Sequence, residues 1–231
     1  MSSMMPYVSP EQMMKDRADF ARKGISRGKS VVAIEYERGV LFVAENPSTT
    51  LHKISEIYDR IAFAAVGKYN EFELLRRQGI RLADVTGYQY AREDVTGRSL
   101  ANAYANALGG AFTEPTKPFE VELLVAEVTL DDVELYHILY DGSITDEEGC
   151  VTIGGSAEAI NRQLGARFAR EMALEDALRA AHGALSSGEE RDVAADRLEV
   201  AGLDRDRGRR KFFRLSSEEI AAALGSGDDA G

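Results

Sequence analysis

The 231-residue sequence contains one cysteine, three histidines and no apolar run long enough to span a membrane. Cys150 cannot form an internal disulfide, and its place before the strand-like Val151-Thr152-Ile153 favours a buried structural thiol. His52, His137 and His182 lie far apart in the chain and form no metal-binding motif. We therefore expect no metal, no cofactor and no membrane segment.

Positively charged residues are fewer than negatively charged ones. The sequence has 28 lysines and arginines against 39 aspartates and glutamates, and its net charge is -11. A nucleic-acid surface requires clustered cations. The basic residues between Arg205 and Lys211 alternate with Asp204 and Asp206, a pattern typical of a solvated turn. Residues 1–8 lack the basic start and apolar core of a secretory signal, so we expect a cytoplasmic protein that binds no nucleic acid.

The first structured element that the sequence predicts is a helix over residues 10–23. Ser9 can cap it, Pro10 suits the first helical position, and Gln12 has the spacing of a capping box. Gly24 is a plausible stop. The helix is amphipathic, which does not tell whether its apolar face covers its own domain or a partner.

Periodicity predicts strands and paired helices along the rest of the chain. Strands are expected at 31–36, 40–44, 54–57, 61–66, 119–128, 134–140, 151–153, 197–203 and 211–215. Helices are expected at 68–84, 96–112, 156–171, 174–185 and 217–224. The first two strands are too apolar to have a solvent face, so they should be covered on both sides. Helices in consecutive pairs indicate two stacked sheets between helix pairs, an α+β, four-layer αββα sandwich.

This layout, with Gly39-Val40 and Ala64-Ala65-Val66-Gly67, resembles the proteasome core-particle family within the N-terminal-nucleophile hydrolase fold. Over residues 9–215 the sequence resembles the alpha-type subunits of actinobacteria. The matching motifs are Tyr7-Val8-Ser9-Pro10, the helix 11–23 with Gly24, Gly28-Lys29-Ser30, Ala44-Glu45-Asn46-Pro47 and His52-Lys53-Ile54. The resemblance implies an N-terminal gating tail (1–8), an alpha-type domain (9–224) and a disordered C-terminal tail (225–231).

The resemblance also implies a subunit without its own nucleophile. In catalytic beta-type subunits, an N-terminal threonine attacks the peptide carbonyl while its own amine acts as base. Aligning Gly39-Val40 places Lys29 at that position, and the capped helix upstream looks like folded structure rather than a propeptide. Glu45 and Lys53 correspond to a catalytic aspartate and lysine of the beta-type subunits.

For Lys53 the resemblance implies a different role. In alpha rings the matching lysine pairs with the C-terminal carboxylate of a ring-shaped ATPase activator, a contact that suits a compact ammonium group. Gly28, Gly67 and Lys68 would line the same pocket. Without the resemblance, Lys53 would be interpreted as a surface lysine near Glu56.

Seven such subunits would form a homo-heptameric ring that caps rings of beta subunits and gates the entry of unfolded, tagged protein substrates. The gate residues would be Met1, Ser2, Ser3, Met4, Met5, Pro6, Tyr7, Val8 and Pro10. The inner pore constriction would be formed by Thr113, Glu114, Pro115, Thr116 and Lys117. Ring contacts are expected from the helix 10–23 and from the first helix pair.

Two other functions are compatible with the residues. A self-processing amidohydrolase of the same fold would expose Ser30 as its nucleophile, and a monomeric binding protein would use the sandwich as a scaffold. Gly154-Gly155-Ser156 at a helix start could hold an anion, although tight strand-to-helix packing is favoured.

Overall fold

The computed structural model describes residues 9–225, which contain ten β-strands and six α-helices. The strands are β1 (Val31–Tyr36), β2 (Gly39–Glu45), β3 (Ile54–Tyr58), β4 (Ile61–Gly67), β5 (Val121–Val128), β6 (Val133–Ile138), β7 (Ile144–Glu147), β8 (Cys150–Ile153), β9 (Leu198–Asp204) and β10 (Phe212–Arg214). The helices are α1 (Pro10–Ile25), α2 (Tyr69–Gln89), α3 (Gly97–Thr113), α4 (Ala157–Gly165), α5 (Leu174–Gly188) and α6 (Ser217–Gly225). Short 3-10 helices lie at Arg92–Asp94 and Ala195–Arg197. The predicted gating residues Met1 to Val8 lie outside the described residues, as do residues 226–231.

The strands form two antiparallel five-stranded sheets. The first has the order β10-β9-β2-β1-β8 and the second has the order β3-β4-β5-β6-β7. The hairpin of β1 and β2 pairs Val31 with Ala44 and Tyr36 with Gly39. The strand order places this hairpin near the centre of the first sheet. Nearly every residue of both strands is buried, as their composition predicts.

Three apolar clusters separate four layers. One fills the space between the sheets and includes Ala33, Phe42 and Leu124. The second joins the first sheet to α4 and α5, and the third joins the second sheet to α2 and α3. The predicted αββα sandwich is therefore confirmed. No helix among residues 9–225 is both long and apolar enough to cross a membrane.

The structure corrects several predicted boundaries. Strand β7 was missed because its residues are mostly exposed and polar, so it has no apolar alternation. Helix α4 ends at Gly165 instead of continuing to Glu171, whose backbone has a positive φ of 61° that does not fit a helix. Helix α2 continues to Gln89, beyond the predicted end at Asp84.

The prediction that Gly24 ends the first helix is also wrong, because α1 continues to Ile25. A Cβ atom at Gly24 would lie 2.3 Å from Glu120 Oε1. This glycine therefore allows the helix to approach the start of β5 closely.

A second close approach joins α2 and α3, the helix pair that covers the second sheet. Gly79 of α2 faces the hydroxyl of Tyr104 of α3, and an added Cβ would lie 1.8 Å from Tyr104 Oη. The Tyr104 ring packs against Phe63, with centroids 5.5 Å apart. Burial raises the pKa of Tyr104, and its hydroxyl has no hydrogen-bond partner among the described residues.

We predict that Gly79→Ala lowers the free energy of unfolding by about 1–3 kcal/mol, because overpacking outweighs the helix propensity of alanine. Gly110→Ala in α3 is the control, since an added Cβ there meets no atom within 4 Å. That variant should be as stable as the wild type or more stable. Thermal unfolding measures both, and adding Tyr104→Phe to Gly79→Ala should recover part of the loss. Equal effects of the two glycine substitutions would contradict this packing model.

Candidate functional site

Lys29 and Ser30 are the two residues before β1, and Lys29 is the one that the resemblance aligns with the nucleophile of catalytic subunits. Lys29 is 44% exposed, and its Nζ lies 3.5 Å from Glu45 Oε2 and 3.5 Å from Glu189 Oε2. Ser30 is 1% exposed, and its Oγ has no hydrogen-bond partner in the described part of the chain. An added Cβ at Gly154 would lie 3.2 Å from that oxygen. Within the described residues, the Ser30 hydroxyl is therefore packed away from solvent and is not hydrogen-bonded to a base.

Lys53 lies immediately before β3 and reaches toward β1. Its Nζ donates a hydrogen bond of 2.7 Å to the carbonyl oxygen of Lys29. Gly28, the next residue upstream, packs so closely on β4 that an added Cβ would lie 2.6 Å from Val66 Cγ1 and 3.1 Å from Gly67 N. The structure therefore brings Lys53, Gly28 and Gly67 together around the Lys29 peptide.

The ammonium group of Lys53 is half-buried, and burial lowers its pKa to about 8. The negative charges of Glu199, Glu45 and Glu189 oppose this effect, and Lys29 adds to it. Among residues 9–225, no carboxylate forms a direct ion pair with Lys53. Within these residues, the Lys53 ammonium therefore has a carbonyl oxygen as its hydrogen-bond acceptor and no carboxylate that neutralises it directly.

Glu45, at the end of β2, is the first of two buried carboxylates in this region. It is 2% exposed and interacts with Lys29, Arg191 and Arg197. Burial by itself would raise the pKa of Glu45, but the hydrogen bond from Arg191 and the three positive charges lower it below its usual value. The lowered pKa keeps Glu45 ionised at neutral pH, next to the Lys29 ammonium.

Glu199 of β9 is the second buried carboxylate, and it is 7% exposed. Its two oxygens accept four hydrogen bonds from residues of the β2–β3 connection and of β10. The donors are Asn46 Nδ2 (2.7 Å), Lys53 N (2.9 Å), Ile54 N (3.2 Å) and the Arg214 guanidinium (2.6 Å). His52 Nδ1 lies 3.3 Å from Glu199 Oε1. The carboxylate thus holds the backbone of the segment that carries Lys53.

Sequence reasoning missed this network. Glu199, Arg191, Arg197 and Arg214 are more than a hundred residues from Lys53, and they belong to no motif. One signal was available, because an acidic residue within an apolar strand has to be compensated when the strand is buried.

Lys68, predicted for the same pocket, takes part in a separate charged cluster. Its Nζ lies 3.3 Å from Glu120 Oε2, and Lys117 bridges Glu120 (2.8 Å) and Glu71 (2.5 Å). Gly67, the last residue of β4, lets Lys68 come this close to Glu120, because its φ of 114° favours glycine and a Cβ there would lie 2.0 Å from the Glu120 carbonyl oxygen. The structure therefore connects Lys68 to Lys117 of the predicted constriction.

The start of α1 agrees with half of the predicted capping box. Ser9 Oγ accepts a 3.2 Å hydrogen bond from the backbone N–H of Gln12. The Gln12 side chain bonds to Asp16 Oδ1 instead of reaching back to Ser9. Ser9 and Pro10, the N-cap and the first residue of the helix, are both exposed.

The predicted constriction, Thr113 to Lys117, begins at the last residue of α3 and is anchored to α1. Arg17 donates hydrogen bonds to the carbonyl oxygens of Phe112 (2.7 Å) and Ala111 (2.9 Å). Lys117 Nζ lies 5.6 Å from the centre of the Phe20 ring. The residues from Thr113 to Lys117 are exposed. Helix α1 therefore holds both ends of this loop.

Other clefts and polar clusters lie away from Lys53. A cleft of about 820 Å³ has six acidic residues in its lining, among them Glu35 and Glu147. Each histidine has a separate environment, with His137 bonded to Glu122 (2.6 Å) and His182 to the Val193 carbonyl oxygen (2.7 Å). Within residues 9–225, no group of three or more metal-ligating side chains could hold a metal ion.

Comparison with known proteins gives a consistent result. The family model described as Proteasome subunit matches residues 25–202. The chain is 57% identical over 226 residues to Proteasome subunit alpha of Thermobifida fusca, which covers 96% of this chain and 91% of the relative. It is also 57% identical over 225 residues to Proteasome subunit alpha of Acidothermus cellulolyticus, with 94% and 96% covered. The resemblance found in the sequence is confirmed, and the chain belongs to the proteasome subunit family.

Proposed function

We propose that this chain is a non-catalytic alpha subunit of the proteasome core, in the cytoplasm, and that it forms a heptameric ring on rings of catalytic beta subunits. The observation that carries the proposal is the folded helix α1 upstream of β1, where the resemblance aligns Lys29 with the nucleophile. A nucleophile of this fold needs a free α-amine as its base, whereas Ser30 is buried within the chain. The similarity to proteins named Proteasome subunit alpha supports the assignment.

The pocket around Lys53 would dock the C-terminal tail of a ring-shaped ATPase activator. A half-buried ammonium without an ion-pair partner in the described chain is suited to a terminal carboxylate. Gly28 packs closely on Gly67 beside the Lys29 carbonyl that holds the Lys53 ammonium, and in this proposal Gly28, Gly67 and the following Lys68 would line the pocket. Desolvation on docking would strengthen the contact beyond that of an exposed ion pair.

The parts of the chain would divide the work of admitting substrate. Residues 1–8 would form the gate, the domain 9–224 would form the ring and the residues from 225 onward would be a tail. The loop from Thr113 to Lys117 would form the inner constriction for unfolded, tagged proteins. Its anchorage to α1 through Arg17 supports a fixed position for this loop.

The assembly proposal is tested by native mass spectrometry after co-expression with a beta subunit. We expect a complex that contains alpha heptamers, and a chain that stays monomeric at all concentrations would favour the binding-protein alternative. Intact mass distinguishes the remaining alternative, because a self-processing amidohydrolase would lose the residues before Ser30. An unprocessed chain in the assembled particle would exclude it.

We predict that Lys53→Ala abolishes activator-stimulated protein degradation and leaves assembly unchanged, since no other ammonium occupies this position. Arg162→Ala, which removes an exposed cation of α4 outside the expected ring contacts, is the control. Fluorescence anisotropy with a peptide of the activator's last residues measures docking directly, and an amidated peptide shows whether the carboxylate is required. Wild-type affinity of the Lys53→Ala ring would rule out this docking site.

Docking should also depend on pH, because only the protonated Lys53 attracts a carboxylate. In the free ring its pKa is about 8, and a bound carboxylate raises that pKa, so docking takes up a proton above pH 8. The affinity should be full below about pH 7 and roughly tenfold weaker about one unit above the pKa. Lys53→Arg keeps its charge throughout this range, so any remaining affinity should be flat. A flat wild-type profile would contradict the assignment.

Deleting residues 1–8 should accelerate hydrolysis of small peptides by the assembled core several-fold, because the gate would be removed. Deleting residues 226–231 at the other end is the control and should leave the rate unchanged. Initial rates with a fluorogenic peptide measure both effects. If the two deletions behave alike, the N-terminal segment does not gate the pore.

A further inference from the structure

We propose that Glu199 is the positioning residue of the docking site: it fixes the segment that carries Lys53 and provides the main compensating negative charge. The inference rests on the proposed role of Lys53 in docking. Glu199 itself would not touch the activator, because its carboxylate is buried and its hydrogen bonds are directed into the protein.

The first argument is geometric. Glu199 belongs to β9 of the first sheet, while β3 of the second sheet begins at Ile54. The consecutive N–H groups of Lys53 and Ile54 donate to opposite oxygens of this carboxylate. Arg214 closes the arrangement, since its guanidinium bonds both to Glu199 and to the Ile54 carbonyl oxygen (2.6 Å). The backbone of Lys53 is thereby fixed relative to both sheets.

The second argument concerns the connection between β2 and β3. Asn46 Nδ2 donates to Glu199 (2.7 Å) and to the Leu51 carbonyl oxygen (2.8 Å). One carboxylate therefore holds the first and last residues of the connection. The Lys53 side chain leaves a backbone that is held in place, which lowers the entropic cost of placing its ammonium group for an incoming ligand.

The third argument is electrostatic. The negative charges of Glu199, Glu45 and Glu189 raise the pKa of Lys53, and the positive charge of Lys29 lowers it. Glu199 has the largest effect of these four charges. Burial limits solvent screening of the Glu199 charge. Its removal would leave the positive charge of Arg214 without its carboxylate partner near Lys53. Both changes favour the neutral amine.

The test is Glu199→Gln in the assembled particle. An amide has one acceptor oxygen in place of two, so either the Asn46 and Lys53 donors or the Ile54 and Arg214 donors lose their acceptor. Glu127→Gln is the matched control. Glu127 is likewise buried, at 3% exposed, and is bonded to Arg60 (2.5 Å) and the Gly97 N–H (2.6 Å), with no contact to the Lys53 segment.

The first measurement needs no activator. Brief acetylation with acetic anhydride at a series of pH values, read by peptide mass spectrometry, reports the titration midpoint of Lys53. We expect Glu199→Gln to move this midpoint to lower pH by at least about half a unit, whereas Glu127→Gln leaves it at the wild-type value. A merely structural role would move neither midpoint.

The second measurement is docking of a peptide of the activator's last residues at pH 7. Glu199→Gln should weaken it at least tenfold, with Glu127→Gln close to wild type. An unchanged Lys53 midpoint, unchanged docking, or equal effects of the two variants would overturn the proposal. If Lys53→Ala itself docks normally, the proposed docking site fails, and the acetylation result still decides whether Glu199 controls Lys53.

Glu199→Asp serves if the glutamine variant does not assemble. It keeps the charge but shortens the side chain by one methylene, so it cannot reach all four donors. We expect its Lys53 midpoint to stay near wild type while docking weakens. Wild-type docking by Glu199→Asp would overturn the positioning role.

Discussion

The structure around the site depends on the burial of β1 and β2 on both faces. Apolar strands covered by two layers leave no water for charged groups, so any charge at their ends has to be compensated by protein groups. Glu45 ends β2, and Glu199 pairs with Ala44 across the adjacent strand. These two buried carboxylates are paired with arginines from later parts of the chain. Glu199 also accepts a hydrogen bond from the backbone of Lys53 and so holds this residue in place.

Lys29 and Lys53 illustrate how the same charge acquires different roles. Lys29 already faces two carboxylates, Glu45 and Glu189, so its charge is compensated within the chain. In the described structure the Lys53 ammonium bonds only to a carbonyl oxygen, and burial makes this charged form less stable. This difference is the reason that Lys53, and not Lys29, is the lysine proposed to bind an external carboxylate.

The sequence allowed much of the architecture to be predicted, for identifiable reasons. The apolar runs of β1 and β2 and the helix pairs are local patterns, and they led to the four layers. Strand β7 escaped because an exposed edge strand needs no apolar alternation. Gly24 was misinterpreted because a glycine required by a neighbouring side chain looks the same in sequence as one that ends a helix.

The candidate site shows the same division. Lys53, Gly28 and Gly67 were named from a resemblance that covers short contiguous motifs, and the structure brings them together. Glu199 and its partner Arg214 could not be found in that way. Both are far from Lys53 in the sequence, and the fold brings them next to it. Local sequence patterns therefore indicate which residues could form the site. The topology of the fold decides which distant residues compensate their charges.

The hydrogen bonds from Arg17 to the end of α3 have one more consequence. They join α1 to the start of the loop from Thr113 to Lys117, and the contact of Lys117 with Phe20 joins α1 to its end. In the proposed ring, a tilt of α1 at the entrance would be carried to the inner constriction. The outer opening and the width of the channel beneath it would then change together.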